Sequence, residues 1–126
     1  LAKATPMKIA VTSQGDTLDS PVDPRFGRAA HILVVDPDTL EFEAFDNSEN
    51  KNAFKGAGIQ AAGMISQAGA DVLLTGYCGP NAFSTLEKAG IKVVNDQAEG
   101  RVIDAVQNFK QGNVVYAESA NKDGHW

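Results

Sequence analysis

Short apolar runs separated by helical patterns are the feature that most constrains the fold of this chain. Residues 71–75 and 91–94 are strand-like, whereas residues 57–68, 80–89 and 102–109 carry apolar side chains at helical spacing. Glycines or a proline mark the ends of these segments, as is typical of connections between strands and helices. This alternation predicts an α/β domain in which helices cover a largely parallel sheet.

The first half of the chain adds a strand and a hairpin to this pattern. Residues 9–11 form an apolar run, and residues 32–35 and 40–45 flank a turn at 36–39 that contains a proline and two aspartates. The full order, β, β-hairpin, α, β, α, β, α, predicts an RNase H-like α/β fold. Its mixed five-stranded sheet has one antiparallel strand, the second, and is flanked by helices.

Length and composition indicate one domain. The 126 residues, 43% of them hydrophobic, are enough to bury a single core. We assign residues 7–117 to this domain, with a possible short strand at 114–116. Residues 1–6 are predicted to be a leader or expression remnant, and residues 118–126 a flexible C-terminal tail. No apolar run reaches the roughly 20 residues of a membrane span, so we expect a cytoplasmic protein without a membrane partner.

Charge and cysteine content limit the partners. Eleven Lys and Arg against sixteen Asp and Glu give a net charge of −5, which leaves no broad basic surface for a nucleic acid. The chain has a single cysteine, Cys78, and two histidines, His31 and His125. This set excludes an intramolecular disulfide and a four-thiolate zinc or iron–sulfur site within one chain. Any metal must therefore be held in another way.

Polar and glycine-rich segments are predicted to meet where the parallel strands end. In an RNase H-like sheet the antiparallel second strand begins at this end, which is the usual ligand-binding end of open α/β sheets. A loop from about residue 12 to residue 30 also lies there, and its length favours a functional loop over a plain connection. The other segments expected there are Thr12 and Ser13, His31, residues 46–47 and residues 75–78.

Two glycine-rich turns precede helices at this end of the sheet. One contains Gly56 and Gly58, and the other contains Gly76, Gly79 and Asn81. Backbone N–H groups at helix N-termini attract anions. Neither turn matches a Walker loop or the full dinucleotide fingerprint. The alternative interpretation is that the glycines serve only tight strand-to-helix turns.

The long loop carries two arginines in an acidic chain. Arg25 and Arg28 flank Phe26 and Gly27, and their guanidinium groups are suited to cradling an anion. An ion pair between Asp23 and one of these arginines is the alternative. Such a surface pair would stabilise the fold only slightly.

His31 and Cys78 are the candidate metal ligands. His31 is suited to metal binding or proton transfer, or it simply begins a strand. Cys78 near a helix N-terminus would have a lowered pKa and act as a thiolate ligand or nucleophile. A small, partly buried thiol is the alternative. A carboxylate–metal nuclease is disfavoured, because Asp36 and Asp71 fall at the opposite end of the predicted sheet.

Four segments together make the chain similar to a known family: residues 7–12, 21–29, 56–62 and 75–83. Over about residues 7–112 the chain resembles the dinitrogenase iron–molybdenum cofactor biosynthesis family. This resemblance implies an RNase H-like fold without nuclease activity and the binding or carriage of metal–sulfur clusters. Members often have another residue where Cys78 stands, so the resemblance does not imply a cysteine ligand.

The residues and the resemblance together predict a protein that is not an enzyme and that binds an anionic metal–sulfur cluster mainly by non-covalent contacts. The resemblance implies a molybdenum–copper sulfide cluster or, alternatively, an iron–molybdenum–sulfur cluster. The residues predicted to bind it are Thr12, Ser13, Arg25, Phe26, Gly27, Arg28, Gly56, Gly58, Gly76, Cys78, Gly79 and Asn81. His31 and Cys78 would at most add a direct metal contact, and Phe26 and Phe83 would exclude water.

Two other classes of function remain open at this point. The first is a metal-free regulatory or scaffold module that binds another protein. The second is a thiol enzyme that uses Cys78. Protein partners for cluster delivery or regulation are expected in the cluster-binding case.

Overall fold

The computed structural model describes residues 7–48, 56–95, 100–112, 114, 116 and 117. Within these residues the elements follow the predicted order. The strands are β1 (Ile9–Ser13), β2 (His31–Val35), β3 (Phe42–Asp46), β4 (Val72–Leu74) and β5 (Lys92–Val94). The helices are α1 (Ala57–Gln67), α2 (Pro80–Lys88) and α3 (Val102–Lys110).

The five strands form one mixed sheet in the order β3-β2-β1-β4-β5. β2 is antiparallel to β1 and to β3, whereas β1, β4 and β5 are parallel to one another. The predicted RNase H-like fold is therefore confirmed. We call the place where β1, β3, β4 and β5 finish and β2 begins the carboxyl end of the sheet.

Helices cover both faces of this sheet because successive strand side chains point to opposite sides. On one face, Ala10 of β1 and Leu73 of β4 pack in a core with α1 and α2. On the other face, Val11 and Leu74 pack in a second core with α3. We call these the α1/α2 face and the α3 face. The connections at the carboxyl end can therefore reach either face.

The hairpin turn between β2 and β3 is longer than predicted. The apolar pattern placed a strand from residue 40, but β3 begins at Phe42. Leu40 has a φ of 64°, a left-handed conformation that ends extended structure. Its N–H donates to the Asp36 carbonyl at 2.8 Å, and the Asp36 N–H donates to the Glu41 carbonyl at 2.8 Å. The turn thus includes Leu40, whose side chain packs against the α3-side core.

The end of the described chain does not form the possible strand at 114–116. Neither Val114 nor Tyr116 is in a strand, and residue 115 lies outside the described residues. Ala117 instead donates its N–H to the Val93 carbonyl at 2.7 Å. Residues 1–6 and 118–126, the predicted leader and tail, also lie outside the described residues. No described helix has the length and apolar character needed to cross a bilayer.

Candidate functional site

The long loop divides into two halves that lie on opposite faces of the sheet. β1 extends through Ser13, so the loop begins at Gln14 rather than at Thr12. In the first half, residues 14–22, Val22 packs in the α3-side core. In the second half, residues 23–30, Phe26 packs in the core under α1 and α2. The loop therefore crosses the carboxyl end of the sheet between residues 22 and 23.

The first half of the loop seals the N-terminus of α3. The Val102 N–H donates to the Ser20 carbonyl at 2.9 Å, and the Ile103 N–H donates to the Leu18 carbonyl at 2.9 Å. The first N–H groups of a helix have no partner within the helix itself. Here, loop carbonyls accept two of them, so these two donors are not available to a ligand.

Exposed ion pairs reinforce this attachment. Arg101 lies 3.1 Å from Asp19 in the loop and 3.3 Å from Asp104 in α3. The hydrogen bond and the charge of Arg101 lower the pKa of Asp104, and Asp104 raises the pKa of Arg101. All three side chains face solvent, where such pairs stabilise little. The backbone bonds are therefore the main attachment of this half.

The second half of the loop is clamped to the segment after β4. The Tyr77 N–H donates to the Pro24 carbonyl at 2.6 Å, and the Phe26 N–H donates to the Tyr77 carbonyl at 3.0 Å. These two bonds form an isolated parallel bridge that pairs Arg25 with Tyr77. Gly76 permits this approach, because a Cβ there would lie 2.8 Å from the Pro24 carbonyl oxygen. The clamp holds the Arg25 backbone beside the turn that leads into α2.

A close contact between glycines brings the loop to α1. Gly27 has a φ of 93°, and a Cβ on it would lie 2.7 Å from the Gly58 Cα. A Cβ on Gly58 would in turn lie 2.7 Å from the Ala82 Cβ. These glycines, like Gly76, are therefore needed for packing. This supports the interpretation that glycines serve tight connections and leaves their role in ligand binding a prediction.

Asn47, just after β3, fixes the carbonyls of the same loop half. Its buried side-chain amide donates to the Gly27 carbonyl at 3.1 Å and to the Ala29 carbonyl at 2.8 Å. Its own N–H donates to the Ala30 carbonyl at 3.0 Å. Asn47 thus fixes the positions of three carbonyls in this half of the loop.

Helices α1 and α2 begin beside this clamp and differ from α3. Their N-cap residues, Gly56 and Gly79, provide no side-chain cap, and Pro80 has no N–H group. Several of their first-turn backbone N–H groups have no acceptor in the part of the chain that the structure describes. These N–H groups belong to Ala57, Gly58, Ile59, Asn81 and Ala82. Open donors at two neighbouring helix N-termini are suited to an anion.

Buried hydroxyl groups join the loop to the ends of β1 and β4. The Thr12 hydroxyl donates to the Asp23 carbonyl, and its oxygen lies 3.0 Å from the Thr75 hydroxyl oxygen. Both threonines are fully buried. The Ser13 hydroxyl, on the other face, donates to the Gly15 carbonyl at 2.7 Å. Thr12 and Ser13, predicted to share the site, therefore serve different halves of the loop.

The charge of Arg25 is partly offset by an ion pair. The Asp23 carboxylate lies 3.7 Å from the Arg25 Nε and accepts the Arg25 N–H at 3.1 Å. This is the intra-loop ion pair considered from the sequence. Asp23 is nearly buried, whereas the Arg25 side chain is 50% exposed. Arg28, three residues after Arg25, is partly buried. Asp23 therefore holds the backbone and the Nε of Arg25 in place, while half of the cationic side chain stays exposed to solvent.

Cys78 lies in the core under α1 and α2, with no exposed surface. Burial raises the pKa of its thiol to about 12. The lowered pKa considered for a residue near a helix N-terminus is therefore wrong for Cys78, and the thiol is protonated at neutral pH. Phe26 and Phe83 are buried in the same core. These two side chains therefore belong to the core below the site and do not line its surface.

His31 begins β2 on the α3 face, opposite Asp46 of β3. Its Nδ1 is buried and has no hydrogen-bond partner within the described residues. Hydrogen bonds from Ser48 lower the pKa of Asp46, and the charge of His31 contributes in the same direction. No group of three or more His, Cys, Asp or Glu residues in the described ranges could hold a metal ion. His31 lies on the face opposite Thr12.

The sequence predicted Tyr77, Thr75 and Asn47 at this end of the sheet but not among the binding residues, and the structure gives each a contact there. Tyr77 forms the clamp, Thr75 joins the buried hydroxyls and Asn47 fixes the loop carbonyls. Thr75 and Asn47 had one detectable signal, since each is a polar residue at or just after the end of a predicted strand. The pairing of Tyr77 with the loop had no signal, because its partner Pro24 lies about fifty residues away in the sequence.

The fold and these segments define a member of a known family. Residues 7–112 match the dinitrogenase iron-molybdenum cofactor family, and the chain belongs to it. It is similar to the orange protein of Desulfovibrio gigas, solved in its apo form, with 48% identity and a TM-score of 0.90 over 95% of this chain and 100% of that chain. A NifB-like protein of Thermotoga has 28% identity and a TM-score of 0.80 over 94% and 99%. No curated protein matches significantly.

Proposed function

We propose that this protein binds and carries a compact anionic metal–sulfur cluster and catalyses no reaction. The observation that carries the proposal is the set of open N–H donors at the N-termini of α1 and α2. The same loop that seals α3 holds Arg25 beside the turn that leads into α2 and Gly27 against Gly58 at the start of α1. Membership of the dinitrogenase iron-molybdenum cofactor family supports a cluster as the anion.

The types of donor present favour a pre-assembled cluster over a bare metal ion. A metal ion needs several converging carboxylates, imidazoles or thiolates, and the described residues contain no such group. A sulfide cluster brings its own soft ligands and presents negatively charged sulfur to the protein. Backbone N–H groups and guanidinium groups are the donors that suit such a surface. The scarcity of cysteine is therefore compatible with metal carriage.

We propose a molybdenum–copper sulfide cluster, with an iron–molybdenum–sulfur cluster as the alternative. The similarity to the orange protein, which has an apo form, supports a ligand for this fold. In this proposal the N–H groups of Gly58 and Asn81 donate to cluster sulfides, and Arg25 and Arg28 supply charge. The buried Cys78 thiol contributes no bond unless the turn before α2 rearranges.

Reconstitution with tetrathiomolybdate and a copper salt tests the proposal. We expect charge-transfer bands in the visible spectrum and uptake of one cluster per chain or per assembly. The Arg25→Ala/Arg28→Ala variant should bind at least about tenfold more weakly, since a charge-assisted hydrogen bond contributes roughly 1.5–3 kcal/mol. Arg101→Ala is the matched control, because this exposed arginine lies on the sealed helix end. Equal uptake by the double variant would reject the arginine role.

A metal-free regulatory or scaffold module is the second candidate. The exposed side chains of Ile59 and Tyr77, 44% and 41% accessible, lie next to the same helix ends and favour a protein contact there. Metal analysis of protein isolated without oxygen separates the two functions. A colourless, metal-free preparation that also refuses reconstitution would support the scaffold.

A further inference from the structure

β3 is the outermost strand of the sheet beyond β2. Two hydrogen bonds show which of its backbone groups face β2. The Asp36 N–H donates to the Glu41 carbonyl, and the Asn47 N–H donates to the Ala30 carbonyl. Because backbone groups alternate in direction along an antiparallel pair, Glu43 and Phe45 must also face β2.

The remaining residues of β3 direct their backbone groups away from the sheet. These are Phe42, Ala44 and Asp46, and their N–H and C=O groups have no partner in the described residues. Such an unpaired row is a template for another strand. The side chains of Phe42 and Ala44 point to the α3 face, where Phe42 is 41% exposed. This edge therefore offers both hydrogen bonds and an apolar contact.

The net negative charge of the chain is concentrated on the hairpin formed by β2, the turn and β3. Residues 36–46 contain five acids and no lysine or arginine: Asp36, Asp38, Glu41, Glu43 and Asp46. The whole chain has sixteen acids and eleven bases, so the rest of it has eleven of each and is neutral. The entire net charge of −5 thus belongs to the hairpin. Pairing with a second copy would bring two such hairpins together, which like-charge repulsion opposes.

We propose that β3 docks an extended basic segment of a partner protein, which adds a sixth strand to the sheet. The segment would alternate lysine or arginine with apolar residues, so that the cations meet the hairpin acids and the apolar side chains meet Phe42. Backbone hydrogen bonds supply affinity in this mode of recognition, and the alternate side chains supply specificity. The proposal does not depend on the cluster.

The docked strand would end beside the arginine-bearing loop. Asp46 finishes β3, and the next residue, Asn47, holds the carbonyls of Gly27 and Ala29. A partner on β3 would therefore reach the carboxyl end of the sheet next to the half of the loop that carries Arg25. This position suits a partner that receives or delivers material at the starts of α1 and α2.

Nuclear magnetic resonance with the ¹⁵N-labelled chain tests this proposal. The probe is an eight-residue peptide that alternates lysine and valine, and the control is the same peptide N-methylated on two consecutive central amides. The methyl groups block both edges of the peptide strand but leave its charge unchanged. We expect the plain peptide to shift the amides of Phe42, Ala44 and Asp46 and the methylated peptide to bind at least tenfold more weakly. Absence of binding, or equal binding by both peptides, would overturn the proposal.

Two variants separate the backbone contribution from the charge. Ala44→Pro removes an N–H that faces solvent and should weaken peptide binding about tenfold, with a dispersed spectrum as the check of folding. Glu41→Gln/Glu43→Gln leaves the backbone intact and should weaken binding severalfold at low salt. Wild-type affinity in the glutamine variant would reject the basic partner, whether or not the proline variant folds. A dimer that pairs through β3 in the absence of peptide would replace the partner with a second copy.

Discussion

The N-terminus of α3 and the N-termini of α1 and α2 lie at the same end of the sheet but differ in what their first N–H groups contact. At α3, the carbonyls of Ser20 and Leu18 accept two of these donors. At α1 and α2, the described residues supply no acceptor, and the nearby loop presents Arg25 instead. The same loop thus pairs the N–H groups at one helix end and leaves those at the other two without a partner in the described residues. The path of the connecting chain, rather than helix formation itself, decides which helix ends keep unpaired N–H groups.

The reactivity of Cys78 tests whether its thiol is buried away from the unpaired N–H groups at the start of α2. Since the pKa of the folded thiol is about 12 and that of an ordinary thiol is 9.0, the thiolate fraction at pH 8 should be about 1,000-fold lower in the folded protein than in the unfolded protein. We expect alkylation by iodoacetamide to be slower by about this factor than in denaturant. Fast labelling of the folded protein would mean that the thiol faces the open donors.

The same pKa difference predicts a loss of stability in alkali. The folded pKa lies above the unfolded value, so the contribution of the buried thiol is fully present below about pH 9. It decreases as the pH rises from there towards 12, because only the unfolded chain ionises this group. Urea unfolding at pH 8 and pH 10 measures the effect, with Cys78→Ala as the control that should lack this component.

Gly27→Ala should separate the loop from α1 and is expected to cost about 3 kcal/mol of unfolding free energy. The added Cβ would meet the Gly58 backbone at 2.7 Å in a left-handed conformation. Gly56→Ala is the matched control, because its φ is also positive but nothing lies within 4 Å. It should cost only about 1 kcal/mol. Equal losses in urea unfolding would show that the contact between the glycines is unimportant.

Thr12→Val should destabilise the protein where the loop passes from the α3 face to the α1/α2 face. It leaves the Asp23 carbonyl and the Thr75 hydroxyl without their partner, which should cost about 2 kcal/mol. Thr75→Val removes only the second of these contacts and should cost about 1 kcal/mol. Thermal unfolding of the two variants gives the comparison. A larger loss for Thr75→Val would place the main anchor of the loop on β4 instead of on β1.

Arg101→Ala should have the smallest effect of these changes. Its partners Asp19 and Asp104 are solvent-exposed, and the backbone bonds from the loop to α3 remain. We expect a slight loss of thermal stability in low salt that disappears in high salt. A loss as large as that of Thr12→Val would mean that ion pairs, rather than carbonyls, close the end of α3.

The order of the elements and the sheet were predictable because they depend on local patterns. Apolar periodicity and glycine positions identified the strands and helices in sequence order, and the order implied the antiparallel β2. The Leu40 conformation was not predictable in this way. A left-handed leucine has no compositional marker, and it is held here by bonds across the hairpin turn.

The candidate site was predictable only as a set of segments. Strand and helix ends placed Thr12, Arg25 and the glycine turns at one end of the sheet. Alternation along β1 and β2 then put Ser13 and His31 on the α3 face. The pairing of Arg25 with Tyr77 and the inward direction of Cys78 depend on tertiary contacts between distant residues. The binding roles of the predicted residues remain predictions.

The concentration of acids on the hairpin makes this part of the molecule electronegative. Most of these acids lie along β3 and its turn, away from Arg25 at the carboxyl end of the sheet. Cations that diffuse towards the chain are therefore attracted to this side before contact. In the two proposals, a cationic partner would be attracted to the hairpin and a small anion to Arg25. The two proposed sites would thus select ligands of opposite charge.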